Sequence, residues 1–434
     1  MPEPTRTRRT VLALGAAGLG VTGGCLGLPV GPTGGLTEWR RRRLTVPEVP
    51  PPAEPTDGQV RALRAFLDAR VTAAEPLLAD VSREALGDDA YRRCAAGVSS
   101  VRAFLAESAE DPASMDYGFA RSRVSDAGYA LGFLRAWHGR ETPAAAIDRA
   151  VEARDAVADA AAAMPRDCVD PGRFLAKVGW AERRLFLARL AVDGYDDPPE
   201  PRAGGSRTEV AERVGRHYQQ AARANWWARA ARYYARAYAE RRPSGARPFG
   251  AALERNRAAL RSAVEEAMPE RGAAERLAAS RDSEVVSDYL RRAGNPLGSA
   301  REGVRYATEH AGRGIDAYAA VEAARAWCHL RGYRQVIDGV DADQLRDGVD
   351  PAALYEDKRA VVRRVRDGLT DPDPLVNWLV DEPARLLYAG EGYLEPDSVA
   401  DSEATARAIC LSFYRHALGY AEAIPAAARR LERR

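Results

Sequence analysis

Residues 57–81, DGQVRALRAFLDARVTAAEPLLADV, decide the fold class of this chain. Apolar side chains stand at positions 60, 63, 67, 71, 74, 78 and 81, so successive steps are three or four residues long. This spacing places them on one face of an α-helix, whereas a half-buried strand would alternate with a period of two. The stretch therefore predicts an amphipathic helix that buries one side.

The same pattern extends toward the C-terminus, for example over residues 174–192 and 409–424. Six dipeptides mark helix starts, because a side-chain acceptor precedes a proline whose missing N–H is not needed in the first turn. They are Asp111–Pro112, Thr142–Pro143, Asp170–Pro171, Asn295–Pro296, Asp350–Pro351 and Asp373–Pro374. Strand patterns are almost absent. We predict an all-α fold, a helical array or bundle of about a dozen helices.

Two parts of the chain resemble each other. Trp180 and Trp378 are each followed 14 residues later by Gly-Tyr, and Trp137 and Trp327 each follow Arg-Ala. Tryptophan occurs only seven times, so matched pairs carry weight, although chance similarity in a chain rich in alanine and arginine is the alternative. We predict two similar tandem halves, residues 57–243 and 244–434. The second copy carries eight extra residues, which we place in a loop over 332–350.

Pro383 has no counterpart in the first copy. It lies in the helix predicted around Trp378, where a proline removes a backbone hydrogen bond and clashes with the preceding turn. We therefore expect this helix of the second copy to be kinked.

The N-terminus carries an export pattern. Residues 7–12, TRRTVL, contain the paired Arg8 and Arg9; an apolar run follows over 11–21, and TGGC ends at Cys25. The run is about half of the ~20 residues that a bilayer span requires, which is typical of a signal peptide. Residues 1–25 resemble a twin-arginine signal peptide with a lipobox, and the Gly-Cys-Leu-Gly junction looks like that of haloarchaeal lipoproteins. The resemblance implies export by the twin-arginine translocase, a lipid on Cys25 and a location on the outer face of the cytoplasmic membrane.

Residues 26–56 are rich in proline and glycine and predict an extended tether between the lipid and the helical domain. The whole chain has 64 basic and 62 acidic residues; loss of Arg6, Arg8, Arg9 and Glu3 with the signal peptide leaves 61 of each. A neutral mature chain gives no reason to expect a nucleic-acid partner.

Four cysteines remain after Cys25, at spacings too long for a Cys-x-x-Cys unit. Outside the cytosol they could form disulfides, and buried free thiols in helices are the alternative. The residues in question are Cys94, Cys168, Cys328 and Cys410.

Signatures of catalysis are missing. None of the five histidines lies in a His-Glu-x-x-His or Glu-x-x-His pattern, and phosphate-binding loops and the Gly-x-Ser-x-Gly elbow do not occur. We predict no catalytic residue, metal ligand or cofactor. We expect His416 to be a hydrogen-bonded histidine on the face of the last helix.

One long helix concentrates aromatic residues between arginines. Such rings can stack on sugars, heterocycles or peptide side chains, so they are the speculative ligand contacts. The alternative is that the helix packs between the two halves and the rings belong to the core. The residues are Trp226, Trp227, Tyr233, Tyr234 and Tyr238.

Three functions follow from these patterns. The first is a membrane-anchored lipoprotein that binds a small molecule or a protein in the groove between its halves. The second is a structural subunit of a cell-surface complex, which predicts a broad apolar surface and no pocket. The third and least supported is an exported all-α enzyme, which predicts clustered titratable residues in a pocket.

Overall fold

The computed structural model describes residues 47, 49–53, 56–110, 117–202, 204–241, 244–292, 294–395 and 400–433. The predictions for Arg8, Arg9 and Cys25 lie outside these residues, as does most of the tether. Helices dominate the described residues, and the two strands have two residues each, which confirms the all-α class. Within the described ranges, no helix combines the length and apolar character that a bilayer crossing requires.

The first half contains seven helices among its described residues. The longest, α7, packs against α4, α5 and α6, while α1 and α3 cover α4. In chain order the elements are α1 Asp57–Ala79, α2 Arg83–Leu86, α3 Asp88–Glu110, α4 Tyr117–Trp137, α5 Pro143–Ala162, β1 Asp167–Cys168, α6 Pro171–Val192, a 3₁₀ turn Asp193–Tyr195, and α7 Arg207–Glu240.

The second half repeats this scheme. Its long last helix, α17, packs against α12, α14 and α16 as α7 packs against α4, α5 and α6. The elements are β2 Arg247–Pro248, α8 Gly250–Ala267, α9 Ala273–Ala279, α10 Glu284–Arg292, α11 Gly294–Glu309, α12 Asp316–Asp338, α13 Ala342–Asp347, α14 Pro351–Leu369, α15 Pro374–Leu379, α16 Asp381–Gly392 and α17 Glu403–Leu431.

Helix starts follow the predicted chemistry at four of the six dipeptides. Thr142, Asp170, Asp350 and Asp373 each accept a backbone N–H of the first turn through the side chain, and proline follows as the first helical residue. Asn295–Pro296 instead lies inside α11, and Asp111–Pro112 is outside the described residues.

The matched segments differ where the sequence suggested they would. The counterpart of α6 is divided into α15 and α16 at the single residue Val380, three residues before Pro383. The prediction of a loop over 332–350 was wrong in part. Helix α12 continues to Asp338, and α13 occupies much of the remaining connection.

Small residues bring the helices of the first half close together. Gly128 and Gly132 of α4 face α7, and a Cβ atom on Gly132 would lie 2.5 Å from Cβ of Tyr218. In the alignment that pairs Trp137 with Trp327, these glycines correspond to Tyr318 and Glu322 of α12. The same helix position thus serves close packing in one half and carries large polar side chains in the other.

The two halves meet mainly through α6, which contacts α12 and α15. Trp180 and Trp378, the tryptophans matched in the sequence, pack edge to face there, with ring centroids 5.8 Å apart. Glu182 of α6 accepts the backbone N–H of Tyr318 at 2.8 Å, so the first half caps a helix of the second. The antiparallel pair β1–β2 adds a second connection.

Candidate ligand-binding site

Most of the predicted aromatic contacts lie inside the protein. Trp226 and Trp227 are 1% and 2% exposed, Tyr234 and Tyr238 are buried, and Tyr233 is half-buried. Trp226 packs on Phe66 of α1 at a centroid distance of 6.0 Å. The core alternative therefore holds for the two tryptophans, but α7 packs within the first half and not between the halves as that alternative supposed.

Tyr234 and Tyr238 nevertheless reach the wall of a cavity of about 450 Å³ beside α6 and α7. This volume is within the range of small-molecule sites, ~300–1,000 Å³. We call this space the basic cavity. Its described lining consists of Pro51, Ala53, Thr56, Arg173, Lys177, Tyr234, Ala237, Tyr238 and Arg241.

Helix geometry brings these side chains together. Arg173 and Lys177 are four residues apart on α6, and Tyr234 and Tyr238 are four apart on α7, so each pair shares a face. The Asp170 cap and Pro171 fix the start of α6 two residues before Arg173. Because α7 ends at Glu240, Arg241 leaves the helix at the edge of the basic cavity.

The described lining of the basic cavity carries three cations and no carboxylate. The cations are Arg173, Lys177 and Arg241. The guanidinium groups of Arg173 and Arg241 form no ion pair or hydrogen bond with the described part of the chain. Other arginines of the chain do pair with an acidic residue, as Arg102 does with Glu75 at 2.7 Å.

These groups suit an anion that carries a ring. Guanidinium and ammonium groups donate charge-assisted hydrogen bonds to carboxylate or phosphate oxygens, and tyrosine faces offer an apolar surface for stacking. The hydroxyl of Tyr238 already donates to the carbonyl oxygen of Asp167 at 3.3 Å, which holds that ring in place.

The expected groove between the halves is filled. Trp378 is 1% exposed, and the polar side chains of this junction are packed among the helices. Tyr318, Glu322, Arg325 and His329 form a stripe on one face of α12, with Glu322 and Arg325 paired at 3.0 Å. This stripe is buried in contact with α17 and α6.

The last residue of the stripe meets the predicted histidine of α17. Nδ1 of His329 lies 3.0 Å from Nε2 of His416, and the ring of Tyr420 packs on His329. Burial lowers the pKa of His329 to about 3 and that of His416 well below its usual value, so both rings are neutral at physiological pH. His416 is thus the hydrogen-bonded histidine that the sequence predicts.

The structure also bears on a metal site and on the cysteines. Across the described ranges, no group of three or more His, Cys, Asp or Glu residues is arranged to hold a metal ion. The four cysteines after Cys25 are buried thiols outside any disulfide, which favours the thiol alternative.

Sequence reasoning missed the cations of the basic cavity. Lys177 was visible as one of only two lysines among 64 basic residues, and its spacing from Arg173 was available. No sequence pattern marked Arg241 as a residue of this site, because its place in the basic cavity depends on where α7 ends. The other lysine, Lys358, is buried and pairs with Glu391 at 2.5 Å, so both lysines occupy specific environments.

Comparison with curated proteins and with solved structures found no match. The division between two matched domain families falls between α7 and β2, two residues from the predicted division after residue 243. Residues 49–245 match the family described as domain of unknown function DUF8262, and residues 246–433 match the family described as domain of unknown function DUF8264.

Proposed function

We propose that this chain is an exported, lipid-anchored binding protein whose ligand is a small anion with an aromatic or heterocyclic part. The observation that carries the proposal is the basic cavity, where the guanidinium groups of Arg173 and Arg241 lack partners among the described residues and lie beside two tyrosines. The anchoring part depends on Arg8, Arg9 and Cys25.

Direct binding tests the ligand class. Phenyl phosphate serves as the probe, with inorganic phosphate and phenol as its separate parts, and isothermal titration calorimetry of the mature chain gives the affinities. We expect phenyl phosphate to bind more tightly than either part. Arg173→Gln or Lys177→Gln should weaken binding about tenfold or more, since a hydrogen bond to a charged group contributes about 1.5–3 kcal/mol.

Arg236→Gln is the matched control. Arg236 lies on the same helix as the tyrosines, its side chain is 77% exposed and it faces away toward Glu240. Its replacement should leave the affinity unchanged. Equal affinities in wild type and in the Arg173 and Lys177 variants would refute binding in the basic cavity.

Fractionation of cells tests the anchor. Full-length wild-type protein should be found in the membrane fraction with a lipid mass on the Cys25 peptide. Cys25→Ala should prevent this modification, and replacement of both Arg8 and Arg9 by Lys should leave the precursor inside the cell. Recovery of unmodified wild-type protein in the soluble fraction would contradict the anchor without bearing on the cavity.

The surface favours ligand binding over the scaffold alternative. Of the large apolar side chains in the described ranges, only Leu190 and Tyr388 are exposed, at 52% and 44%. A scaffold with a broad apolar interface would expose more of them. A stoichiometric protein partner recovered with tagged protein from the membrane fraction would reverse this preference.

A further inference from the structure

The described end of the tether lies against the helical domain. Val49 and Ala53 are half-buried and pack on the hydrophobic core, whereas Pro50 between them is exposed. Further along, the side chain of Thr56 caps α1 by accepting the backbone N–H of Gln59 at 3.3 Å. The described residues just before α1 therefore have a defined place on the domain.

This end of the tether also forms part of the basic cavity. Three of the nine described lining residues belong to it, namely Pro51, Ala53 and Thr56. None of the three carries a charge, so the tether supplies an uncharged wall, while the cations come from α6 and from the residue after α7. A ligand that fills the basic cavity therefore contacts the tether as well as the helices.

Three consecutive prolines, residues 50–52, make this part of the tether stiff. The proline ring fixes φ at about −65°, and a residue before proline is held in the extended region. Because such a run resists bending, loss of the core contact of Val49 would also move Pro51 away from the basic cavity.

The core contacts of this segment are small. A half-buried valine and a half-buried alanine remove little apolar area from water, so they hold the segment weakly compared with the helices around the cavity. Segments with few buried contacts open locally while the rest of the domain stays folded. The end of the tether is thus the wall of the basic cavity that can move.

We infer that residues 49–53 form a strap that closes one side of the basic cavity and controls the entry and release of its ligand. The inference rests on the proposed function, because it takes the ligand of the basic cavity as given. Contact between the ligand and the docked strap links the two events, and such linkage is reciprocal. Docking of the strap therefore strengthens ligand binding, and the bound ligand strengthens docking to the same extent.

Thiol labelling measures the docking of the strap. The test protein is the mature chain with Cys25→Ala, whose described cysteines are buried. Val49 is not among the described lining residues of the cavity, so Val49→Cys reports docking without being covered by the ligand itself. We expect Val49→Cys to react with N-ethylmaleimide several-fold more slowly than Pro50→Cys. Saturating phenyl phosphate should slow this reaction further and should leave the labelling of Pro50→Cys unchanged.

The affinity for phenyl phosphate provides the converse measurement. Val49→Asp places a charge at the core contact and should release the strap, so phenyl phosphate should bind several-fold more weakly and dissociate faster. Pro50→Asp adds the same charge at the exposed neighbouring position, so this matched control should bind like the wild type. Circular dichroism verifies that both variants are folded.

Two results would overturn the strap alone: equal affinities of wild type and Val49→Asp, or equal labelling rates of Val49→Cys and Pro50→Cys. Absence of phenyl phosphate binding to the wild type would instead overturn the ligand class of the proposed function, and the coupling with it.

Discussion

Removal of the Glu182 carboxyl group, which joins α6 of the first half to α12 of the second, should lower the free energy of unfolding. Its side chain, 4% exposed, accepts the N–H of Tyr318 at the start of α12 at 2.8 Å. Glu182→Ala would leave this buried donor without an acceptor, at about 1–3 kcal/mol. Relief from burying the carboxyl group offsets part of this loss, so we expect a net destabilisation of about 1–2 kcal/mol. Glu182→Gln keeps an acceptor and should lose less than about 1 kcal/mol.

Urea unfolding followed by circular dichroism measures the effect. With a slope of about 2–3 kcal/mol per molar urea for a half of this size, Glu182→Ala should lower the midpoint by about 0.5 M. Glu240→Ala, which changes an exposed glutamate on α7, should leave the midpoint in place. A Glu182→Ala midpoint equal to that of Glu240→Ala would refute the capping argument.

The same residue gives a pH signature. Burial is the main cause that raises the pKa of Glu182 well above its usual value, and the negative charge of Asp316 adds to it. The unfolded chain therefore releases this proton at a lower pH than the folded protein, so stability should fall as pH rises above the ordinary carboxyl pKa. Glu182→Gln should reduce this slope, and an unchanged slope would argue against the buried carboxyl.

Three further predictions use other parts of the structure. Gly332→Ala should lower the melting temperature, because its Cβ would lie 2.7 Å from the carbonyl oxygen of His416. Gly298→Ala, in open space on α11, should instead stabilise the protein by up to about 1 kcal/mol. Equal thermal shifts in the two variants would contradict the close packing of Gly332. Glu432 has a pKa raised to about 8, first by burial and then by the neighbouring carboxyl group of Asp373. Its contribution to stability should therefore be lost as the pH rises from about 4.5 to 8, and Glu432→Gln should flatten that part of a urea-midpoint profile. A thiol reagent should modify none of the described cysteines in the native state and all of them after denaturation. Prompt labelling of the native protein would show that a thiol is accessible. The cysteines are Cys94, Cys168, Cys328 and Cys410.

The helices were predictable because local chemistry fixes them. The apolar stripe of residues 57–81 is buried at Leu63, Leu67 and Val71. The break between α15 and α16 just before Pro383 likewise has a cause that needs no tertiary contact, because proline lacks the N–H that would bond to the preceding turn. The extent of α12 was not predictable in the same way. Its last turns lack a strong breaker before Gly339, and they are held by packing of Gly332 against α17.

The aromatic residues of α7 show that sequence periodicity predicts a shared helix face but not what that face contacts. Spacing told us that Trp227, Tyr234 and Tyr238 share a face, but a face can point to solvent or to another helix. The neighbour that decides is α6, whose residues are about 50 positions earlier in the chain. The cations of the basic cavity come from this same pairing, so the site required the tertiary arrangement of α6 and α7.

Corresponding positions of α4 and α12 carry side chains of very different size, so neither helix could replace the other. Where α4 has Gly128 and Gly132 against Tyr218, α12 has Tyr318 and Glu322. A chimera with α12 in place of α4 would force two large side chains into a space that admits no Cβ, and the reverse exchange would empty the interior of the second half. The close contact of α4 with α7 in the first half and the filled interior around α12 in the second thus each require their own helix, so the two halves are not interchangeable parts.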